Sequence, residues 1–171
     1  MTGFDFKARF LAALPIFPPE PDLSFDEFVV YEAGEFCSLA AQDAQFLVKQ
    51  GLPRDAAPFL SFEAYSAGEI AHRLTVYGIS EDHFLLGHNG SGDALAIDRR
   101  TREVVSFNHD FNNERVFINS TLMLFAQCLC IFQEHLRDST IERCLAEIER
   151  VDPAAAAPSA MWAGAVSEEL C

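Results

Sequence analysis

The sequence predicts an α+β domain in which helices flank a central, mostly antiparallel β-sheet. Between Phe84 and Phe107, short segments rich in apolar side chains alternate with short polar turns, as strands do in a meander. These turns are too short for the crossover connection that parallel neighbouring strands require. After Ser120 the apolar spacing becomes helical, and strands followed by helices are typical of an α+β domain.

The first half of the chain is predicted to alternate helices with short strands. A short helix should end at Pro15, followed by an extended Pro-rich connector at 18–21 and a strand at 28–31. A second helix, from Leu39 to Gln50, should end at Gly51, which suits a left-handed C-terminal cap, and Pro53 prevents its continuation. Further strands are expected at 59–62 and 74–77.

The second half is predicted to contain two hairpins followed by helices. Strands are expected at 84–88, 94–98 and 104–107, and Asn89-Gly90 should form the first hairpin turn. The segment 116–120 is expected to open a helix that Ser120 caps and that continues to Leu136. Because that helix is apolar on nearly all sides, it should be central in the fold. Two more helices are expected at 140–151 and 161–170.

Length and charge restrict the classes of function. A chain of 171 residues fits one domain, for which we expect an N-terminal extension at 1–35, packed on the domain or on a partner, and a domain proper at 36–171. The net charge of −14 repels nucleic acid and anionic membranes and attracts basic proteins, although acidity also serves solubility. We find no apolar run of about 20 residues and no leader pattern, and the five cysteines lack zinc spacing, so we expect a cytoplasmic protein with reduced thiols.

No arrangement of residues clearly indicates catalysis or a metal. His88 and Asp93 have the spacing of an acyltransferase-type pair, but Asn89-Gly90 favours a turn between them. A metal site from His83, His109 and Asp110 is conceivable, although such residues at strand ends are usually solvated or hydrogen-bonded. We therefore predict no catalytic residue, no cofactor and no metal.

A set of short motifs carries a family resemblance. In order, these are Gly51-Leu52-Pro53, Gly87 through Ile97-Asp98, Val104-Val105, Phe117-Ile118-Asn119-Ser120 with Phe125, Asp152-Pro153-Ala154, and Trp162. The chain resembles the fourth subfamily of the SUKH superfamily of immunity proteins over about residues 40–170. The resemblance implies a central antiparallel sheet with flanking helices. It also implies a non-enzymatic protein that binds and neutralises a polymorphic toxin encoded beside it, with Gly51, Pro53, Gly87 and Asn119 as structural positions.

The partner expected from charge and resemblance together is a basic toxin or effector. An acidic inhibitor can occupy the surface with which a nucleic-acid-processing toxin holds phosphate. The acidic side chains that we predict to contact it are Glu32, Glu35, Glu63, Glu69, Glu81, Asp82 and Asp93. A non-enzymatic adaptor or chaperone-like module for a secreted effector is the alternative, and a small hydrolase or transferase a less favoured one. The sequence does not distinguish a monomer from a homodimer.

Overall fold

A computed structural model describes residues 4–15, 25–35 and 39–171 of the chain. The Pro-rich connector expected at 18–21, and Cys37, lie outside the described residues. The helices are α1 (Phe6–Ala13), α2 (Ala41–Lys49), α3 (Ala67–Tyr77), α4 (Leu122–Arg137), α5 (Cys144–Val151) and α6 (Met161–Glu169). The strands are β1 (Phe28–Val29), β2 (Leu52–Pro53), β3 (Asp55–Ala56), β4 (Leu60–Phe62), β5 (His83–Asn89), β6 (Ala94–Asp98), β7 (Val104–Asn108) and β8 (Glu114–Asn119).

A six-stranded antiparallel sheet is the centre of the fold. Its strands follow chain order from β3 to β8, and β1 pairs with β2 in a separate two-stranded sheet. This arrangement confirms the predicted α+β class. Gly87 lies at a bulge in β5, where an added Cβ would come within 2.0 Å of the Ser61 carbonyl oxygen on β4. Because only glycine permits that approach of two backbones, Gly87 fixes how β4 lies against β5.

The hydrophobic core lies between the sheet and α4. Phe125 and Phe132 of α4 are fully buried, and both rings contact Trp162 of α6, with ring centroids 6.2 and 5.7 Å apart. Phe125 also meets Phe62 of β4 edge-on, at 6.0 Å. The prediction that α4 is central is confirmed, because its apolar residues pack on the sheet on one side and on other helices elsewhere.

The N-terminal helix lies against α4 and contributes aromatic rings to the same core. Phe6 and Phe10 are fully buried, and Phe6 contacts Phe46 of α2 with ring centroids 5.5 Å apart. Arg9 donates two hydrogen bonds to the Glu134 carboxylate of α4, each 2.7 Å long. The described part of the N-terminal segment therefore packs on its own domain, and a boundary near residue 35 stays a prediction.

The strand expected at 74–77 is wrong, because these residues form the last turn of α3. Ser66 caps this helix, accepting a hydrogen bond from the Glu69 backbone amide while the Glu69 carboxylate accepts one from the Ser66 amide. Gly78 ends it in the left-handed conformation. The run Leu74-Thr75-Val76-Tyr77 has strand-like composition. A helix is nevertheless favoured, because α3 is capped at both ends and buries Ile70 and Leu74 on one side.

The helix expected to open at 116–120 also needs correction. Residues 114–119 form β8, the edge strand of the sheet, and α4 begins only after it. The N-cap is Thr121, whose hydroxyl accepts a hydrogen bond from the Leu124 amide at 3.2 Å, rather than Ser120. Ser120 instead binds Asp152, so its side chain is not available to cap the helix.

The β5–β6 hairpin exists as predicted, but its turn is longer. Asn89 is the last residue of β5, and its side-chain oxygen accepts hydrogen bonds from the amides of Ser91 and Asp93, at 3.0 and 2.9 Å. The residue with positive φ is Gly92, at +86°, rather than Asn89 or Gly90. Asn89 organises the turn with its side chain as well as its backbone, whose carbonyl oxygen accepts a 2.9 Å hydrogen bond from the Gly92 amide.

Candidate partner-binding surface

At the sheet end that holds the β6–β7 turn, acidic and basic side chains neutralise each other. Arg102 donates hydrogen bonds of 3.0 and 2.8 Å to the carboxylate of Asp43 on α2. The Asp43 side chain is only 3% exposed. Arg115 of β8 donates to Asp98 at 3.1 Å and also binds Glu103. Two-point contact to a buried carboxylate fixes geometry as well as charge. Arg102 and Arg115 are therefore structural ties rather than a surface for an anion.

Glu81 and Asp82, two of the predicted contact residues, lie at this same end. The Asp82 carboxylate is 3.6 Å from the Arg100 guanidinium, and Arg99 donates a 3.2 Å hydrogen bond to the Glu81 carbonyl oxygen. The Glu81 side chain is exposed and makes no ion pair with any described residue. Of the two acids, Glu81 is the one whose charge is free to attract a partner.

Glu63 and Glu69 lie near α3, but only one of them is available. The Glu69 carboxylate accepts 2.8 Å hydrogen bonds from the amide and hydroxyl of Ser66, which lower its pKa and commit it to the helix cap. Glu63 is half exposed, with its carboxylate 3.8 Å from Nε2 of His88.

Between α3 and β5 lies a cleft of about 230 Å³ in which Arg73 stacks on the Tyr65 ring, 4.4 Å from its centroid. Burial is the main cause that raises the pKa of Tyr65 to about 12, so its hydroxyl stays protonated and neutral at physiological pH. Arg73 therefore brings a positive charge to the cleft beside Glu63.

Asp93 holds the β5–β6 turn against the segment after β7. Its carboxylate accepts hydrogen bonds from the Asn89 side chain (3.0 Å), the His109 amide (3.0 Å) and His109 Nδ1 (2.7 Å). Partial burial raises the pKa of Asp93, but the hydrogen bonds from His109 and Asn89 outweigh it and bring the pKa below its usual value. The hydrogen bond to Asp93 in turn raises the pKa of His109.

The two chemical alternatives that the sequence left open find no supporting geometry among the described residues. Asp93 binds His109, whereas His88 lies beside Glu63, so the spacing of His88 and Asp93 does not make a pair. His83 stands near Asp98, at the opposite end of the sheet from His109. Over residues 4–15, 25–35 and 39–171, no three side chains of metal-binding type converge.

The predicted acids therefore do not form one cluster. Glu81 and Asp82 lie at one end of the large sheet and Asp93 at the other, with Glu63 just beyond β4. Glu32 is exposed and follows β1 of the smaller sheet, and Glu35 ends a short 3₁₀ turn at 33–35, with its side chain outside the described part. A single partner can contact some of these acids directly, whereas the others act on it only through long-range electrostatic attraction.

The structure reveals an apolar surface that sequence reasoning missed. Phe59, at the tip of the β3–β4 hairpin, is 75% exposed and has a φ of +53°. It stands beside a cleft of about 400 Å³, lined by the hairpin tip, the β5–β6 turn and one side of α6 (Pro58, Phe59, Leu60, Asn89, Gly90, Ser91, Met161, Gly164, Ala165, Glu168). The sequence placed Phe59 inside a strand, and nothing in its pattern distinguishes it from the phenylalanines of the core.

Three of the motifs that carry the family resemblance meet in a buried polar cluster. Asn119 at the end of β8 donates a 2.9 Å hydrogen bond to Asp152 and accepts one of 2.9 Å from the indole nitrogen of Trp162. Asp152 also accepts from the amide and hydroxyl of Ser120, both at 2.8 Å. Because Asn119 and Asp152 are at most 2% exposed, this cluster ties the sheet edge to α5 and α6 and offers no surface to a partner.

Among the described residues, no helix combines the length and apolar character needed to cross a membrane. Comparison with curated proteins and with solved structures gave no match. The model of the SUKH-4 immunity protein family, in contrast, matches residues 31–168, which span the whole six-stranded sheet and helices α2 to α5 with nearly all of α6. On this match, together with the expected antiparallel sheet and flanking helices, the chain belongs to the SUKH-4 immunity protein family.

Proposed function

We propose that this protein neutralises a cognate protein toxin by binding it directly, without chemistry of its own. The observation that carries the proposal is the family match over residues 31–168, since an immunity protein implies a toxin partner. Tight occlusion requires a stable, complementary surface rather than a catalytic group. The rigid sheet and its buried polar cluster supply such a support for the exposed side chains.

The charge of −14 supports a basic partner. At the β6–β7 turn, pairing with arginines cancels much of the local charge, so the unbalanced charge lies elsewhere. The exposed acids without an ion pair among the described residues are spread over the fold (Asp5, Asp26, Glu32, Glu69, Glu81, Glu114, Glu149, Glu168, Glu169). A basic toxin would be attracted at long range by their sum and held by a smaller set in contact.

Of the acids predicted from sequence, we propose Glu32, Glu63 and Glu81 as direct contacts, because their side chains are exposed. Glu69, Asp82 and Asp93 already bind groups within the chain, so they would contribute through the electrostatic field. Glu35 remains in the proposed set because it lies three residues after Glu32 in the chain.

Reducing conditions suit the described cysteines. Cys128, Cys130 and Cys144 are buried and unpaired, and burial raises the pKa of each thiol to about 12. Such thiols are unreactive and pack as small apolar side chains. This fits the proposed action in the cytoplasm.

The direct test uses the toxin domain encoded by the neighbouring reading frame. Co-expression with this chain should restore growth, and the two purified proteins should form a stoichiometric complex in which the toxin is inactive. An unrelated acidic protein of equal net charge is the matched control and should neither bind nor protect. Binding without protection would contradict immunity and favour the adaptor alternative, and absence of any complex would contradict both.

A further inference from the structure

We propose that the cleft between Phe59 and α6 receives a lysine or arginine side chain of the toxin. This inference rests on the proposed function, because it concerns where the same partner binds. It adds a surface that none of the sequence-predicted contact residues occupies.

The first argument is the exposure of Phe59. Solvent reaches three quarters of this side chain, and its ring pairs with no other ring among the described residues. The φ of +53° is an unusual conformation for a bulky residue, and its cost must be compensated by the surrounding structure. Gly90 of the neighbouring turn permits the arrangement, since a Cβ there would lie 3.0 Å from the Phe59 Cβ.

The second argument is the shape of the cleft beside that ring. Met161, Gly164, Ala165 and Glu168 recur at helical spacing along one side of α6 and face the hairpin tip. Gly164, which has no side chain, and Ala165 keep the space open. A volume of about 400 Å³ is at the lower end of the range of 300–1,000 Å³ that holds compact ligands, which suits one long side chain.

The third argument is charge. Among the described residues Glu168 is the only charged side chain that lines the cleft, and neither it nor the adjacent Glu169 makes an ion pair with another described residue. Both lie in the last turn of α6, where the helix dipole adds negative potential. At the other end of the sheet, by comparison, arginines neutralise the acids.

The occupant follows from these groups. The face of an aromatic ring attracts a cation, and a carboxylate across the cleft completes its charge pairing. Lysine and arginine also carry an apolar stem, which the methionine, glycine and alanine of the cleft can cover. An aliphatic side chain would use the ring and the small residues but would leave Glu168 without a partner.

The test measures the affinity of the toxin domain for variants of the full chain. Phe59→Leu keeps an apolar side chain without a π face, whereas Phe59→Tyr keeps the face. We expect Phe59→Leu and Glu168→Lys each to weaken binding at least about tenfold, and Phe59→Tyr to change it by less than about threefold. The matched controls, Val30→Ala for an exposed apolar residue and Glu149→Lys for an exposed acid, should remain within about threefold of the unsubstituted protein. Thermal unfolding of each variant verifies that the fold is intact.

Other results would overturn the inference in distinguishable ways. If Phe59→Leu and Glu168→Lys bind like the unsubstituted protein, the cleft is not the contact site, although immunity stands. If Phe59→Leu alone is harmless, the ring face does not contact the partner, and the proposed position of the cation between the Phe59 ring and Glu168 is overturned. A homodimer that Phe59→Leu dissociates would assign the cleft to a second copy of this chain. If the unsubstituted protein does not bind the toxin, the proposed function falls and this inference with it.

Discussion

Carboxylates that look alike in the sequence have different roles once the chain is folded. Glu69 completes a helix cap, Asp93 joins a turn to His109, and Asp152 is buried against Asn119 and Ser120. Glu168, in contrast, faces an open cleft. A count of acidic residues therefore overstates the number of carboxylates available to a partner, because some of them already accept hydrogen bonds within the chain.

Replacing Asp93 with asparagine should lower the pKa of His109. The hydrogen bond that His109 donates to Asp93 is the main cause that raises this pKa, and the nearby charge of Asp110 is second. Asp93→Asn should therefore shift the imidazole titration, followed by NMR, more than Asp110→Asn does. An equal or larger shift in Asp110→Asn would contradict the pairing of Asp93 with His109.

The same pair makes stability depend on pH in a defined direction. The pKa of Asp93 is depressed, so its contribution is present above the unfolded value of about 4 and is lost as the pH falls. The pKa of His109 is raised, so its contribution is full below about 6.5 and is lost as the pH rises. The contribution of the pair should be largest between about pH 4 and 6.5, and the difference in unfolding free energy between the unsubstituted protein and Asp93→Asn should peak there.

At the scale of secondary-structure elements, α3 and α4 are stabilised by different means. α3 is amphipathic and mostly exposed, so much of its stability comes from its two ends. These are a capping box at Ser66 and a left-handed glycine at Gly78. α4 is buried on most sides, so its stability comes mainly from the packing of its side chains. A helix of the first kind is sensitive to its caps, whereas one of the second kind is sensitive to cavities.

Ser66→Ala should lower the free energy of unfolding by about 0.5–2 kcal/mol, since the backbone amide of Glu69 loses its acceptor. Ser66→Thr keeps a hydroxyl and should lose much less. Chemical denaturation of both variants provides the comparison. Equal stability of Ser66→Ala and the unsubstituted protein would show that the cap does not hold α3 in place.

Phe125→Ala should cost about 3–5 kcal/mol, because the fully buried ring contacts Phe62 and Trp162 and its removal leaves a cavity. Phe111→Ala, at a ring that is 68% exposed, is the matched control and should change stability by no more than about 0.5 kcal/mol. A denaturation midpoint for Phe125→Ala equal to that of the control would mean that α4 is peripheral.

These elements also show what the sequence can predict. The helix Ala41–Lys49 and its end at Gly51, the three central strands and the buried helix follow from periodicity and turn residues, which act locally. The errors at Leu74–Tyr77 and Val116–Ser120 arise where a β-branched apolar run fits both helix and strand, so tertiary contacts decide. The exposure of Phe59 and the pairing of Asp82 with Arg100 depend on distant segments, and no local pattern encodes them.

The whole molecule has an uneven distribution of charge. The β6–β7 end carries Arg99, Arg100, Arg102 and Arg115 among its acids, whereas the one charged group that the described residues bring to the Phe59 cleft is the Glu168 carboxylate. An approaching basic protein would therefore be oriented as well as attracted.

The association rate with a basic toxin should fall as salt rises, since the screening length drops from about 10 Å at 0.1 M to about 3 Å at 1 M. The dissociation rate should change less, because close contacts hold the complex. Glu81→Lys should slow association without unfolding the protein, since its side chain makes no ion pair with a described residue. Stopped-flow binding across salt concentrations measures both rates. An association rate that does not change with salt would mean that the acidity serves solubility alone.

The separation of the Phe59 cleft from the buried cluster of Asn119, Asp152 and Trp162 has a consequence for how such a protein can diversify. Exposed positions on α6 tolerate exchange with changes in stability of about 0.5 kcal/mol or less. Phe59 tolerates exchange for residues that accept its positive φ. Exchanges in the buried cluster would leave unpaired polar groups and cost far more. A lineage exposed to an altered toxin could therefore change its recognition at Phe59 and Glu168 one substitution at a time, while the scaffold that presents them stays the same.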